Sequence, residues 1–135
     1  MNIQADLNID RARLGLVSVK LFFKISDQWQ LNDNQRMTLA GVTSRTTLHT
    51  WKKKLEEGKS LALAPDTLER LSYVAGIYKG VQLLFSDKTL WKDWVKQPNS
   101  DFNGQSALDR MLVGRVVDLA DVRRYIDSWR GEHFA

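Results

Sequence analysis

The sequence predicts an all-α protein of about seven helices. Apolar residues recur at three- and four-residue steps along most of the chain, as on the buried face of an amphipathic helix. Asparagine, serine or aspartate precedes several of these segments, and glycine or proline follows them, as at helix ends. No segment alternates apolar and polar residues for long enough to form a strand, residues 115–117 being the one short candidate.

The first predicted helix covers residues 9–29 and is apolar over more than half of its circumference. One face holds Leu14, Val17, Leu21 and Ile25, which should face the core, and a second apolar set holds Leu16, Val19 and Phe23. Such a helix is either central to the core or half of an oligomer interface. The second set supplies the candidate dimerisation residues.

Helix-boundary signals divide the rest of the chain. Asn32 is expected to cap a helix over residues 33–40, and Gly41 to separate it from a helix over residues 44–57 that stops at Gly58. The later elements are expected to be a helix from Pro65 to Phe85, a helix begun by Asp87, a polar turn over residues 99–104, a short helix over residues 105–112 and a last helix capped by Asp118 and ended by Gly131.

Positive charge is concentrated in one segment. The 135 residues carry a formal net charge of +4, and residues 36–59 alone hold six basic and two acidic side chains. A localised positive surface indicates a negatively charged partner, such as a nucleic acid. A content of 43% hydrophobic and 27% charged residues excludes a disordered or membrane-embedded chain.

The composition also points to a compartment. Cysteine is absent, so disulfides, thiolate nucleophiles and cysteine-bound metals are excluded. No run of apolar residues is long enough to cross a bilayer, and residues 1–10 lack the features of a secretory signal. We expect a cytoplasmic protein without a membrane partner, associated with the nucleoid when bound to DNA.

The basic segment has the pattern of a DNA-binding helix-turn-helix, two short helices joined by a glycine-containing turn. On the second helix, Leu48, Trp51 and Leu55 fall within about 60° of one another and should pack into the core. Cations there suit phosphates, and hydroxyl and imidazole groups suit base edges, although a solubilising surface is the alternative. The candidate DNA-binding residues are Arg45, Thr46, His49, Thr50 and Lys53.

The order of residues after Ser86 resembles the C-terminal domain of Xre/MbcA/ParS antitoxins. The family runs from a tryptophan-containing helix through a Pro-Asn turn and two glycine-containing segments to a final helix with Val-Arg near its start. This sequence supplies, in that order, Trp91, Trp94, Pro98-Asn99, Phe102, Gly104, Leu108, Gly114, Val122-Arg123 and Trp129-Arg130-Gly131. Ala107 stands where many relatives have proline. The basic segment upstream resembles the Xre-type helix-turn-helix that accompanies this domain.

The resemblance implies two regions with two binding functions. Residues 1–85 would form the Xre-like DNA-binding and dimerisation region, which binds operator DNA and represses its own operon as a homodimer. Residues 86–135 would bind the cognate toxin of a type II toxin-antitoxin system. That toxin would be a RES-domain protein, which consumes NAD, or a relative of the ADP-ribosyltransferases, and the antitoxin would occlude its active site.

The end of the chain is the second candidate site. The last predicted helix turns Leu119, Val122, Ile126 and Trp129 to the core, and residues 130–135 leave it as a tail. The tail mixes a cation, an acid and an aromatic ring, which suits a segment that orders in a partner's cleft. The candidate toxin-binding residues are Arg124, Arg130, Glu132, His133 and Phe134.

No catalytic motif stands out in the sequence. Only two histidines are present, His49 and His133, and neither has the spacing of a metal site. Glycine-rich phosphate-binding loops and nucleophile elbows are also missing. We therefore expect no enzymatic activity, no metal and no cofactor. Two other functions stay open: a plain helix-turn-helix transcriptional regulator with no toxin partner, and a protein-interaction module that no longer binds DNA.

Overall fold

The fold is a bundle of α-helices. The computed structural model describes residues 3–134, apart from the side chains of residues 4–9 and 132–134. Within that part of the chain, two single-turn 3-10 helices span Trp94–Lys96 and Ser100–Phe102, and the only β pairing is an isolated bridge between Pro98 and Ser106. The α-helices are α1 (Ile3–Gln28), α2 (Asp33–Ala40), α3 (Arg45–Glu57), α4 (Pro65–Leu84), α5 (Lys88–Asp93), α6 (Ala107–Met111) and α7 (Val116–Phe134).

Helix α4 is the centre of the molecule. Its most extensive packing is with α7, followed by packing with α1 and α2. Its buried residues include Leu71, Val74, Ile77 and Val81, which belong to a hydrophobic core that extends from α1 to α7. The helix-turn-helix and the C-terminal region therefore share one core through α4.

Only the second half of the predicted inner face of α1 meets the core: Ile25 is buried and Leu21 is half-buried against it, as predicted. Val19 and Phe23 are buried within the chain, so they cannot contact a second copy, and the prediction that they form a dimer surface is wrong. Leu16 is half-buried against the same core. Leu14 and Val17, which were expected to face the core, are instead 54% and 63% exposed.

The segment after α3 packs against the first half of α1 and accounts for the exposure of Leu14 and Val17. At Gly15 a Cβ atom would collide with the carbonyl oxygen of Leu61, so the backbone of the α3–α4 connection lies directly against α1. This contact fixes the side of Gly15 as the inner side of the helix. Leu14 and Val17 then point about 100° and 160° away from it, toward solvent.

Local capping confirms the predicted ends of α2 and α3. Asn32 and Gln35 form a capping box at the start of α2, and Gly41 ends that helix in the left-handed conformation with φ of 70°. Ser44 caps α3 through its side chain, and Gly58 ends it with φ of 64°. These ends depend on residues within a few positions of each other.

The ends of α7 differ from the prediction. The helix begins at Val116, so residues 115–117 are not a strand and Asp118 is not the N-cap. Asp118 instead lies in the first turn, and its carboxylate accepts the backbone N–H of Arg115 at 3.2 Å. Gly131 does not adopt a positive φ, and the helix continues through it to Phe134. The predicted free tail from residue 130 is therefore wrong as far as residue 134.

Two glycines of α4 allow α7 to approach closely. A Cβ atom at Gly80 would lie 2.5 Å from Cγ2 of the buried Ile126. One turn earlier, a Cβ atom at Gly76 would overlap the guanidinium group of Arg123. The four-residue spacing of these glycines thus produces a groove in α4 that positions α7 and the C-terminal region.

Candidate functional site

The turn between α2 and α3 is fixed by backbone hydrogen bonds. The N–H of Gly41 donates to the carbonyl of Thr38 at 3.3 Å, and the N–H of Val42 donates to that of Met37 at 3.0 Å. This pair of backbone hydrogen bonds ends the helix at a residue in the left-handed conformation. Ser44 then accepts the N–H of Thr46 at 3.2 Å, so α3 starts at Arg45, four residues after the turn glycine, in a defined direction.

Helix α3 buries one face and exposes the other, as the sequence predicts. Leu48 and Trp51 are buried, and Leu55 is half-buried against the core. All five predicted DNA-contacting side chains are exposed: Arg45, Thr46, His49, Thr50 and Lys53. The structure therefore groups them on one solvent-facing surface, which we call the α3 face.

Two residues of α2 border the α3 face, and sequence reasoning missed both. The guanidinium group of Arg45 donates to the side-chain oxygen of Asn34 at 3.1 Å. Nε2 of His49 lies 3.8 Å from a carboxylate oxygen of Asp33. The hydrogen bond orients Arg45 before any ligand binds, and the carboxylate of Asp33 lies near the imidazole of His49. Only the position of Asp33 and Asn34 in the first turn of α2, next to the cap, hints at such a role.

The three consecutive lysines of α3 have different surroundings. The ammonium group of Lys52 lies over the ring of Phe23, 5.5 Å from its centroid, so it interacts with α1. Lys53 is exposed on the α3 face, whereas Lys54 is half-buried in the last turn. Of the three, Lys53 is the lysine that belongs to the α3 face.

A single arginine connects the helix-turn-helix to the C-terminal region. The largely buried side chain of Arg70, on α4, donates to the carbonyls of Gly114 at 2.9 Å and Thr38 at 3.5 Å. It also lies where a Cβ atom at Gly41 would be. The loop before α7 and the turn before α3 are thereby joined through one side chain.

An aromatic cluster forms the centre of the C-terminal region. The ring of Tyr125 stacks on Trp94 at 6.3 Å and 17°, and it contacts Phe102 at 4.8 Å and Trp129 at 6.3 Å between centroids. Its hydroxyl donates to a carboxylate oxygen of Asp101 at 2.7 Å. The cluster joins the 3-10 turns to α7, and Trp129 stays 41% exposed rather than entering the core as predicted.

A buried carboxylate anchors the start of α7. Asp118 is fully buried and accepts from the guanidinium group of Arg115 at 3.0 and 2.9 Å, and Arg110 lies 3.9 Å away. The hydrogen bond from Arg115 holds the pKa of the Asp118 carboxyl below its ordinary value, against the effect of burial. Asp118 is therefore a structural residue that fixes where α7 begins.

The two regions match two domains of one protein family. Residues 9–76 match the Xre-like helix-turn-helix domain of antitoxins, and residues 81–131 match the C-terminal toxin-binding domain of Xre/MbcA/ParS antitoxins. The chain belongs to this antitoxin family. Protein y4oB of Sinorhizobium fredii (strain NBRC 101917 / NGR234) is a relative, 41% identical over 122 residues that make up 90% of each chain.

Family membership establishes the general function of the antitoxin. It is a binding protein and not an enzyme, with a toxin as one partner and DNA as the other. Among the residues that the structure describes, no group of three or more potential ligands is placed to hold a metal ion. Within the same part of the chain, no helix combines the length and apolar character needed to cross a membrane.

The predicted toxin-binding residues do not converge on one spot. Arg124 forms an ion pair with Asp121 at 3.3 Å, and Arg130 lies 3.8 Å from Asp127. Because six residues separate the two arginines on one helix, they point about 120° apart. The side chains of Glu132, His133 and Phe134 lie outside the described residues, although their backbone continues α7.

Proposed function

We propose that this antitoxin neutralises a RES-type toxin, which consumes NAD, and represses its own operon by binding operator DNA. The alternative partner is a toxin related to the ADP-ribosyltransferases, which would also use NAD. The observation that carries the proposal is that one chain holds both an exposed α3 face and a region that matches a toxin-binding domain. Both activities would take place in the cytoplasm, where the operator lies in the nucleoid.

DNA binding would proceed through α3 in the major groove. Thr46, His49 and Thr50 carry donors and acceptors that suit base edges, and Lys53 and Arg45 carry charges that suit phosphates or guanine. Asn34 holds the guanidinium group of Arg45, which lowers the entropic cost of binding. The other N–H groups of the guanidinium stay available to a phosphate or a guanine.

The antitoxin would bind two half-sites as a homodimer. The exposed residues Ile3, Leu14 and Val17 share one face of α1, at 72%, 54% and 63% exposure, and this face replaces Val19 and Phe23 as the proposed dimer surface. Burying this apolar face of α1 against a second copy of the chain removes it from water, which is favourable. Sedimentation equilibrium of wild type and Leu14→Glu should give a dimer and a monomer, whereas a dimeric variant would refute this surface.

Toxin neutralisation would use the exposed side and the end of α7. Arg124, Arg130, Glu132, His133 and Phe134 are the residues we propose to contact the toxin around its active site. The ion pairs of Arg124 with Asp121 and of Arg130 with Asp127 are partly exposed and therefore weak, so a toxin carboxylate can replace the aspartates. NAD is the substrate of the toxin, and no cofactor is assigned to the antitoxin.

Co-expression with the adjacent gene tests the proposal. The tagged antitoxin should co-purify with the product of that gene and restore growth to cells that express it, and it should bind a promoter fragment of its own operon. Truncation after Arg130 should weaken neutralisation without weakening promoter binding. Promoter binding without a toxin complex would instead indicate a plain transcriptional regulator. A toxin complex without salt-sensitive promoter binding would indicate a protein-interaction module.

A further inference from the structure

An open apolar pocket lies on the C-terminal region, away from the α3 face. Its volume is about 280 Å³, and its walls are Leu84, Phe85, Trp94, Tyr125 and Trp129. They come from the end of α4, the 3-10 turn after α5 and the second half of α7. We call this site the aromatic pocket. None of its walls carries a charged side chain, so it suits an apolar group.

The walls of the aromatic pocket are held in place before anything binds. The Tyr125 hydroxyl donates to Asp101 at 2.7 Å and accepts from the side-chain amide of Asn99 at 3.4 Å. Trp94 stacks on one side of the Tyr125 ring, and Phe102 contacts it from another. A preformed aromatic pocket binds without first ordering its own side chains, which favours affinity.

A smaller pocket extends this surface along α5. It has a volume of about 150 Å³, shares the Phe85 and Trp94 walls, and reaches the exposed Leu90. Its other lining side chains are polar, namely Thr89, Asp93 and Gln97. An apolar centre beside a polar rim is the usual arrangement of a protein–protein hot spot.

The family match indicates what occupies this surface. Every lining residue of both pockets falls within residues 81–131, the range that matches the toxin-binding domain. Aromatic residues at the centre of an interface supply most of its binding energy. A small molecule is disfavoured, because the aromatic pocket offers it no charged side chain for orientation.

We propose that the aromatic pocket is the anchor site for an apolar side chain of the toxin, aromatic or long aliphatic, with Leu90 contacting the toxin at the rim. The proposal rests on toxin binding by the C-terminal region. It adds an apolar contact to the charged contacts of α7. Arg124 precedes the wall residue Tyr125 by one position and so points about 100° away from it, outside the pocket.

Titration calorimetry with the purified product of the adjacent gene tests the anchor. Trp129→Ala removes one wall and should weaken toxin binding by about 30-fold, the size of a hot-spot loss. Leu90→Asp places a charge at the rim and should weaken binding by about 10-fold. Val113→Asp is the matched control, because Val113 is 58% exposed, against 56% for Leu90, but lies on the loop before α7. It should bind within about twofold of wild type.

Two measurements separate a lost contact from a lost fold. Each variant should keep the wild-type affinity for the promoter fragment and an unchanged unfolding midpoint within a few degrees. Trp129→Phe keeps an aromatic wall and should recover most of the affinity lost in Trp129→Ala.

Three outcomes would overturn the anchor. Toxin affinity within twofold of wild type for both Trp129→Ala and Leu90→Asp would refute it while leaving toxin binding intact. Loss of self-association in these variants with normal toxin affinity would assign the pocket to a second copy of the chain. No binding of the wild type to the toxin would refute the proposed function, and the anchor with it.

Discussion

The α3 face and the aromatic pocket are built in different ways. The α3 face consists of side chains from one helix of 13 residues, and the caps Ser44 and Gly58 that set its ends directly flank it. The aromatic pocket is assembled from three segments, with about 30 residues of chain between its Trp94 and Tyr125 walls. A surface formed by one capped helix follows from local sequence, whereas a surface formed by several elements follows only from their packing.

The two surfaces nevertheless depend on the same core. Helix α4 contacts α1 and α2 on the DNA side and α7 on the toxin side. The Arg70 side chain adds a direct connection between the turn before α3 and the loop before α7. We therefore expect the two regions to unfold together, although they bind different partners.

Gly80→Val gives the largest expected effect and tests this shared core. A Cβ atom at Gly80 would lie 2.5 Å from Ile126, so the substitution should force α4 and α7 apart. Overpacking of this kind costs about 3 kcal/mol. Urea unfolding should show this loss of stability in a single transition. The near-UV signal and promoter binding, used as two probes, should change together in that transition.

Gly131→Val is the matched control for this substitution. Gly131 is also helical, but a Cβ atom there would meet nothing within 4 Å. The free energy of unfolding should change by less than about 0.5 kcal/mol. Two separate transitions in Gly80→Val, with promoter binding retained after the first, would show that the regions have independent cores.

Asp118→Asn gives the next largest effect and depends on pH. The Asp118 carboxylate accepts from Arg115 in a buried position, and losing such charge-assisted hydrogen bonds costs about 2 kcal/mol at pH 7. Because Arg115 lowers the pKa of Asp118 in the folded state, this stabilisation is complete above the unfolded pKa, about 4, and is lost as the pH falls through the folded value.

Urea unfolding of wild type and Asp118→Asn at pH 7 and pH 3 measures this difference. The gap in the free energy of unfolding should narrow at the lower pH, because protonation weakens the same bonds in the wild type. Asp121→Asn is the control, since its ion pairs with Arg110 at 3.5 Å and Arg124 at 3.3 Å are partly exposed and are worth less than about 1 kcal/mol. A gap that stays constant with pH would contradict the role of the carboxylate.

The sequence could predict those parts of the fold that depend on neighbouring residues. The caps at Asn32, Gly41 and Gly58 each involve residues within about one helical turn, and the structure confirms them. The periodicity of Leu48 and Trp51 likewise identified the inner face of α3, because a short helix on a core has only one buried face.

The sequence could not predict where along α1 each apolar face is buried. Leu14 and Val17 share a face with the buried Ile25, but at their level of the helix the Leu61 segment packs on the side of Gly15, so they stay exposed. The length of α7 was missed for a related reason. A glycine near a helix end stops the helix only if it adopts a left-handed conformation, and Gly131 does not.

Of the candidate sites, the α3 face was predicted in place, and the aromatic pocket was not foreseen. Trp94, Tyr125 and Trp129 lie on apolar stripes of their helices, where burial in the core is the usual outcome. The hydrogen bond from Tyr125 to Asp101 instead holds the cluster at the surface, and it joins residues that only the fold brings together.

Lys53→Ala gives the smallest expected effect on stability and tests the α3 face, the surface that the sequence could predict. The side chain is exposed and lies on the α3 face, so the free energy of unfolding should change by less than about 0.5 kcal/mol. If Lys53 contacts a phosphate, the slope of log affinity against log salt should become shallower by about 0.9. Promoter binding measured by fluorescence anisotropy at several salt concentrations gives that slope.

Lys59→Ala is the control, because Lys59 follows the end of α3 and pairs with Glu57 at 2.9 Å. It removes the same charge from the chain, so an effect of net charge alone would appear equally in both variants. A shallower slope in Lys53→Ala only would place the DNA on the outer face of α3. Equal slopes in wild type and both variants would remove Lys53 from the interface, and promoter binding would then have to depend on other cations of residues 36–59.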